Sequence, residues 1–338
     1  MTNKIPYELS DYVLKKYFQE TGIRQGWLPE KNKAAVIAIS GGGDSVALMW
    51  LFKKFYDGRV SAIHINHGIR DIEADEDENF VRNLARDLEI EFYSAKIKVP
   101  SERLKGESLE TAARRLRLEN IVMITRKNFS SANVYLGHNR DDLAETVLFN
   151  ILRGTGIRGS VGITEASELE GVRFYRPLLG LRRDFLREIL RVRDIKWRED
   201  STNSDIKYTR NFIRIKLLPE IEGNINTSAI EHLANFGEDM RNVREYENSV
   251  SQELFHKCED EKNMFDRKIL RTLNDTEISL VIREAGRRLN LRTLSRNRCN
   301  ELVKLISKPE NFEFQWSKGM TITGKNGKII FNDERGKI

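Results

Sequence analysis

Six consecutive residues, Ser40-Gly-Gly-Gly-Asp-Ser45, combine the parts of an anion nest with one group that such a nest should reject. Three glycines (Gly41, Gly42, Gly43) let the backbone turn tightly and bring its N–H groups against an anion. Ser40 and Ser45 add hydroxyl donors, and a helix starting here adds the positive end of its dipole. Asp44 repels a phosphate unless a cation stands between them, so it reads as a Mg2+ ligand within a phosphate loop. The alternative is a helix N-cap in a glycine turn. The nucleoside-triphosphatase pattern GxxxxGK[ST] is absent, and no lysine lies in the turn.

A second constellation is Gly137-His-Asn-Arg-Asp-Asp-Leu-Ala-Glu-Thr146. It puts His138 at a strand end and Asp141, Asp142 and Glu145 in the first turns of a helix, where the dipole favours carboxylates. Asp142 with Asp44 could hold Mg2+, which offsets triphosphate charge and stabilises a pyrophosphate leaving group. Capping alone also accounts for Asp141, and His138 reads equally well as a satisfied strand-end histidine. Arg114 and Arg117 share a helix face and can clamp phosphates together, whereas Arg115 suits a solvated face. His64 and His67 flank the end of the second strand, with His64 the better core residue.

Two patterns mislead. Gly154-Thr-Gly-Ile-Arg-Gly159 matches GxGxxG, but it follows a helix, and the dinucleotide fingerprint must follow a strand. It reads as a glycine-rich helix terminus and a substrate-facing loop. The carboxylates of Asp71 to Glu78 lack the glycine of an EF-hand and read as a solvated helix start.

The elements that must position these groups alternate. Ala34-Ala-Val-Ile-Ala-Ile39 is a short apolar run, consistent with a strand buried on both faces. Helix 44–56, strand 60–65, helix 73–89, strand 92–99, helix 109–126, strand 132–136 and helix 141–152 follow. Such alternation predicts an α/β, doubly wound, mostly parallel sheet, with ligands beyond the carboxyl ends of its strands. Residues 1–30 read as an N-terminal helical extension and 31–219 as the catalytic domain. Residues 220–338 read as a smaller, mainly helical second domain that ends in a hairpin. In it, 221–226 is a linker, 228–258, 276–290 and 295–307 are helices, and Asn326-Gly327 is a type I′ turn.

The chain has 338 residues and a net charge of +6. Residues 176–216 carry 12 Lys/Arg against 6 Asp/Glu, so this one stretch accounts for the whole excess. It reads either as a polyanion grip or as a solvated helix face, since Arg182, Arg183, Arg187, Arg191 and Arg193 recur at roughly helical spacing. Two cysteines, Cys258 and Cys299, exclude a disulfide framework and a four-thiolate metal site. The longest apolar stretch is far too short for a membrane helix, and the N-terminal thirty residues lack a signal-peptide pattern. An intracellular, cytoplasmic protein is expected.

SGGGDS resembles the SGGxDS signature of the PP-loop ATP pyrophosphatases, which cleave ATP to AMP and pyrophosphate and activate a substrate by adenylation. Further motifs, in order, resemble those of the tRNA(Ile)-lysidine synthases within that superfamily. Asn66-His-Gly-Ile-Arg70 looks like their HGLR segment, Ala113-Arg-Arg-Leu-Arg117 like their ARxxR helix, and Gly137 to Thr146 like GHxxDDxxET. Arg153 to Gly159, Arg176-Pro-Leu-Leu179, Glu199 to Asp205 and Arg210-Asn-Phe-Ile-Arg214 follow, so the resemblance covers about residues 33–219. It departs at Leu118, where an aromatic is usual, and at Asn139 and Leu143, which replace a second His and a Gln.

The resemblance implies ATP and Mg2+ as cofactors, with catalytic roles for Asp44, Arg114, His138, Asp141, Asp142 and Glu145. It further implies adenylation of O2 of the wobble cytidine in a tRNA(Ile) with a CAU anticodon. The ε-amine of L-lysine then displaces AMP, with Asp141 or Glu145 receiving its proton. Longer members carry a further C-terminal domain, and this chain is expected to end before it. The competing readings are a PP-loop thiolase, an amidating enzyme, and a tRNA-binding protein that only senses ATP.

Overall fold

Alternate residues of the first strand serve different layers, and that fixes the architecture. A computed structural model describes residues 7–68, 71–199 and 206–334. In β1 (Ala34–Ala38), Ala35 and Ile37 join one buried cluster while Ala34 and Val36 join another. A strand whose two faces are both apolar must be central and covered on both sides. The chain continues through α2 (Gly43–Phe55), β2 (Val60–Asn66), α3 (Asp71–Asp87), β3 (Glu91–Lys96), α4 (Val99–Glu102) and α5 (Leu109–Asn128). Next come β4 (Ala132–Leu136), α6 (Arg140–Leu152), α7 (Ile157–Ser160), β5 (Ala166–Leu169), β6 (Val172–Tyr175) and α8 (Arg183–Arg191). The helix α1 (Asp11–Arg24) precedes them, opened by Ser10 as N-cap. Together with α2, α3 and α8 it covers one face of the sheet, and α5 covers the other.

The strand order is β3-β2-β1-β4-β6-β5, parallel except for the edge strand β5. Because β2 follows β1 on one side and β4 pairs on the other, the order reverses between β1 and β4. That is the switch point at which such sheets bind ligands. It lies between the turn at Ser40 and the turn at Gly137. The contact is close: a side chain at Gly137 would meet the backbone of Ser45 at 3.0 Å.

The β5–β6 hairpin is absent from the sequence reading. All four residues of β5 are exposed, so it has no apolar face to read. The expected linker at 221–226 is also corrected. Pro219 starts rather than stops a helix, occupying the first turn of α10 (Leu218–Asn224). Before it, α9 (Thr209–Phe212) runs into a π-turn at Ile213–Leu217.

The chain divides into two compact units, 1–239 and 240–338, and the division falls inside α11 (Ala229–Cys258). The second unit contains β7 (Glu259–Glu261), β8 (Met264–Asp266), α12 (Arg267–Leu270), α13 (Asp275–Arg288) and α14 (Arg296–Ser307). The strands β9 (Phe312–Ser317), β10 (Met320–Lys325) and β11 (Lys328–Asp333) close it. Its sheet is five-stranded and antiparallel, β7-β8-β11-β10-β9, rather than a lone hairpin after helices. The three-residue β7 and β8 are too short to show alternation. Asn326 and Gly327 have φ of 52° and 75° and join β10 to β11, as a type I′ turn requires. Cys258 and Cys299 are buried, unpaired thiols of this region.

Candidate active site

The turn after β1 is tied across itself by its serines. The Ser45 hydroxyl donates to the Gly42 carbonyl at 2.9 Å and accepts from the Ser40 N–H at 3.2 Å, and the two hydroxyls lie 3.2 Å apart. Gly41 has φ +95°, which side chains rarely adopt. Two residues without a role in the sequence reading brace the turn. The Arg198 N–H donates to the Gly41 carbonyl at 2.9 Å, and the Trp197 ring lies where a Gly43 side chain would touch it.

Asp44 opens α2. Its Oδ2 is 3.7 Å from Nε of Arg183, the Asn139 amide also acts on the carboxylate, and its Oδ1 is buried with no hydrogen bond of standard geometry. Burial, opposed by Arg183 and reinforced by Asp142, pushes its carboxyl up to about 6. An orphaned carboxylate oxygen near a second carboxylate fits a cation. Among the described residues no group of three His, Cys, Asp or Glu is built to hold a metal. Asp44 and Asp142, whose Oδ2 accepts one hydrogen bond, from the Asn139 N–H, are the donors this edge would offer a Mg2+ ion, with nucleotide phosphates completing its shell.

The carboxylates of α6 are held by arginines. Arg183 donates through one nitrogen to Asp142 and Glu145, both at 2.9 Å. Arg214 donates to the same pair at 3.0 and 2.8 Å, and Nε of Arg210 lies 3.5 Å from Glu145. Glu145 is fully buried. Asp141 accepts from the Arg183 backbone N–H at 2.9 Å and from Nε of Arg182 at 3.2 Å. The capping expected of Asp141 belongs to its neighbour. Asn139 and Asp142 cap α6 reciprocally at 2.9 and 3.1 Å, because Asp142 stands at the third helical position. Arg182 and Arg183 thus serve as neither polyanion grip nor solvated face. Arg187 acts on Asp44 as well, and its buried Nε has no partner.

A contrasting cluster surrounds His138. Arg117 and the buried Arg176 are each pushed down to about 10 by burial and by neighbouring guanidiniums, and Arg114 is lowered in the same way. Burial and the charges of Arg176, Arg117, Arg114 and Arg210 hold His138 well below its usual range, and its Nδ1 has no partner. Arg114 also feels the carboxylate of Glu110. Arg176 is braced by Thr164 and Ser167, both at 3.0 Å. Arg210 joins the two clusters, acting on Arg114 and His138 while lying beside Glu145.

The remaining candidates separate. His64 is buried with Nδ1 3.0 Å from the Ile39 carbonyl, a core role. His67 lies half-buried just past β2. Arg115 is occupied with Glu107 and Glu119. Leu143 packs into the core with Val147 and Ala234. Gly154, with φ +79°, ends α6, as the helix-terminus reading has it. Arg70 and residues 200–205 of the quoted motifs lie outside the described residues.

Residues 10–221 match the family model of the PP-loop domain. The chain belongs to that family. Two curated relatives, both tRNA(Ile)-lysidine synthases, come from Clostridioides difficile and Thermus thermophilus. They are 34% and 40% identical over 70% and 60% of this chain. The matched stretch covers 51% and 38% of their own lengths, so the chain spans about half the length of such relatives or less. Among solved structures, a U34-tRNA thiolase of Methanococcus maripaludis with its [4Fe-4S] cluster has a TM-score of 0.55 at 17% identity. It covers 67% of this chain and 78% of the thiolase, and it supports the PP-loop fold alone.

Proposed function

We propose that this PP-loop protein is a cytoplasmic tRNA-modifying ligase. It adenylates the wobble cytidine of a tRNA(Ile) with a CAU anticodon and joins L-lysine to C2, releasing AMP and pyrophosphate. One observation carries the adenylating part: a glycine turn with an orphaned carboxylate oxygen shares a sheet edge with the arginines that crowd His138. Similarity to the lysidine synthases carries the choice of lysine.

The turn after β1 receives the triphosphate on its backbone N–H groups and on the N-terminus of α2. Asp44 and Asp142 would hold Mg2+, which supplies neutralisation of charge on the departing pyrophosphate. Arg114, Arg117 and Arg176 offer a second set of phosphate donors. His138 stays neutral there, so it acts as a hydrogen-bond partner and orienter and adds no charge. The lysine amine must lose a proton before it attacks. Asp141 is better placed to receive it than Glu145, which three guanidiniums already hold.

The test incubates protein, ATP, Mg2+ and bulk bacterial tRNA with labelled lysine, with ammonia, or with a sulfur donor. Label should enter tRNA from lysine alone, and a Cys258→Ser/Cys299→Ser double variant should still work. Sulfur incorporation would move the chain to the thiolase reading, against which its two cysteines already speak, since a [4Fe-4S] cluster takes more thiolates. Tight tRNA binding without turnover would leave a binding protein.

A further inference from the structure

Isolated exposed apolar side chains are ordinary on any protein surface. The segment from Ile206 to Lys216 is different, because its two faces are sorted. Arg210 and Arg214, one turn apart, reach the α6 carboxylates, and Ile213 is buried. Tyr208 and Phe212 are also one turn apart, linked by the Phe212 N–H to Tyr208 carbonyl bond at 2.9 Å. They are 58% and 45% exposed. Ile206 and Ile215 flank them, 47% and 36% exposed. An apolar, aromatic stripe in water is costly to keep, and here it sits on the segment that walls the candidate active site.

Charge selects the occupant. Lys207 and Lys216 bracket the two rings on exposed positions. A partner with flat apolar faces on an anionic backbone matches both features, and an unpaired RNA strand has them. We propose that Tyr208 and Phe212 form a stacking platform for unpaired bases flanking the reacting nucleotide of the tRNA. The proposal rests on the tRNA reading above. A helix is about 10 Å across, so a base on this outer face is a neighbour of the nucleotide at the carboxylates, not that nucleotide itself.

The test measures binding of an anticodon stem–loop RNA and of a duplex of equal length to the full chain, across a salt series. Wild type should prefer the stem–loop. Tyr208→Ala and Phe212→Ala should each weaken it about fivefold to a hundredfold, with an unchanged salt slope, because no phosphate contact is lost. Phe212→Trp should retain binding and Phe212→Leu should not, since leucine keeps the apolar area and loses the π face. Thermal midpoints should stay constant, as both rings are exposed. Unchanged affinity in the alanine variants, or full binding by Phe212→Leu, overturns the platform while leaving the tRNA reading intact. A wild-type dimer that Phe212→Ala dissociates makes the stripe a protein interface instead. Failure of wild type to bind any RNA overturns both readings together.

Discussion

The acidic cluster on α6 and the arginine cluster around His138 are built from the same residue types and balanced in opposite ways. Asp141, Asp142 and Glu145 receive Arg182, Arg183 and Arg214, so each buried carboxylate has a charged donor at 2.8–3.2 Å. Arg114, Arg117 and Arg176 crowd one another around a neutral imidazole. Arg176 is buried and Arg117 half-buried, a costly place for charge without a carboxylate, and under the proposed function the nest suits an incoming anion. Inside the balanced cluster, Asp44 is the exception, with one oxygen left orphaned.

The largest expected effect comes from unbalancing the acidic cluster. Arg183→Met strands buried carboxylates and should cost about 3–5 kcal/mol of stability, read as a lower midpoint in denaturant. The same change at Arg117 should be neutral or stabilising, because it relieves repulsion. Equal losses at both positions would erase the contrast. Next, Asp44→Asn should abolish pyrophosphate release while the thermal midpoint holds or rises, since the substitution removes a charge that burial disfavours. A midpoint that drops with activity would make Asp44 structural. Third, inorganic phosphate should raise the wild-type midpoint, and Arg114→Gln or Arg176→Gln should blunt that rise.

The smallest effect is a pH dependence at His138. Its folded form resists protonation, so the unfolded chain alone gains a proton as pH falls below about 6.5. Stability is therefore unaffected above that pH and lost below it. His138→Gln should flatten this acid limb relative to wild type in thermal melts run from pH 7.5 to 5, and an unchanged limb would place the imidazole outside the nest.

Local chemistry was legible in the sequence, and long-range pairing was not. The glycine turn, the α6 carboxylates and the alternating strands follow from neighbouring residues, and the type I′ turn at Asn326-Gly327 came from a dipeptide. The partners of those carboxylates lie 38 to 72 positions away, a distance that no helical period encodes. Spacing showed that Arg182 and Arg183 are adjacent but not which way they face. The β5–β6 hairpin escaped because β5 is polar and exposed, although Glu170 and Gly171, with φ of 48° and 78°, mark its turn. The π-turn that carries Arg214 has no sequence signature.

The proposed function requires the edge between β1 and β4 to break ATP between its α and β phosphates for the benefit of a tRNA. The most direct measurement is product analysis of ATP turnover with Mg2+, with and without bulk tRNA, in wild type and in Asp44→Asn. AMP and pyrophosphate should appear in equal amounts, dependent on tRNA and absent from the variant. ADP with inorganic phosphate, or pyrophosphate release that Asp44→Asn leaves untouched, would contradict that function.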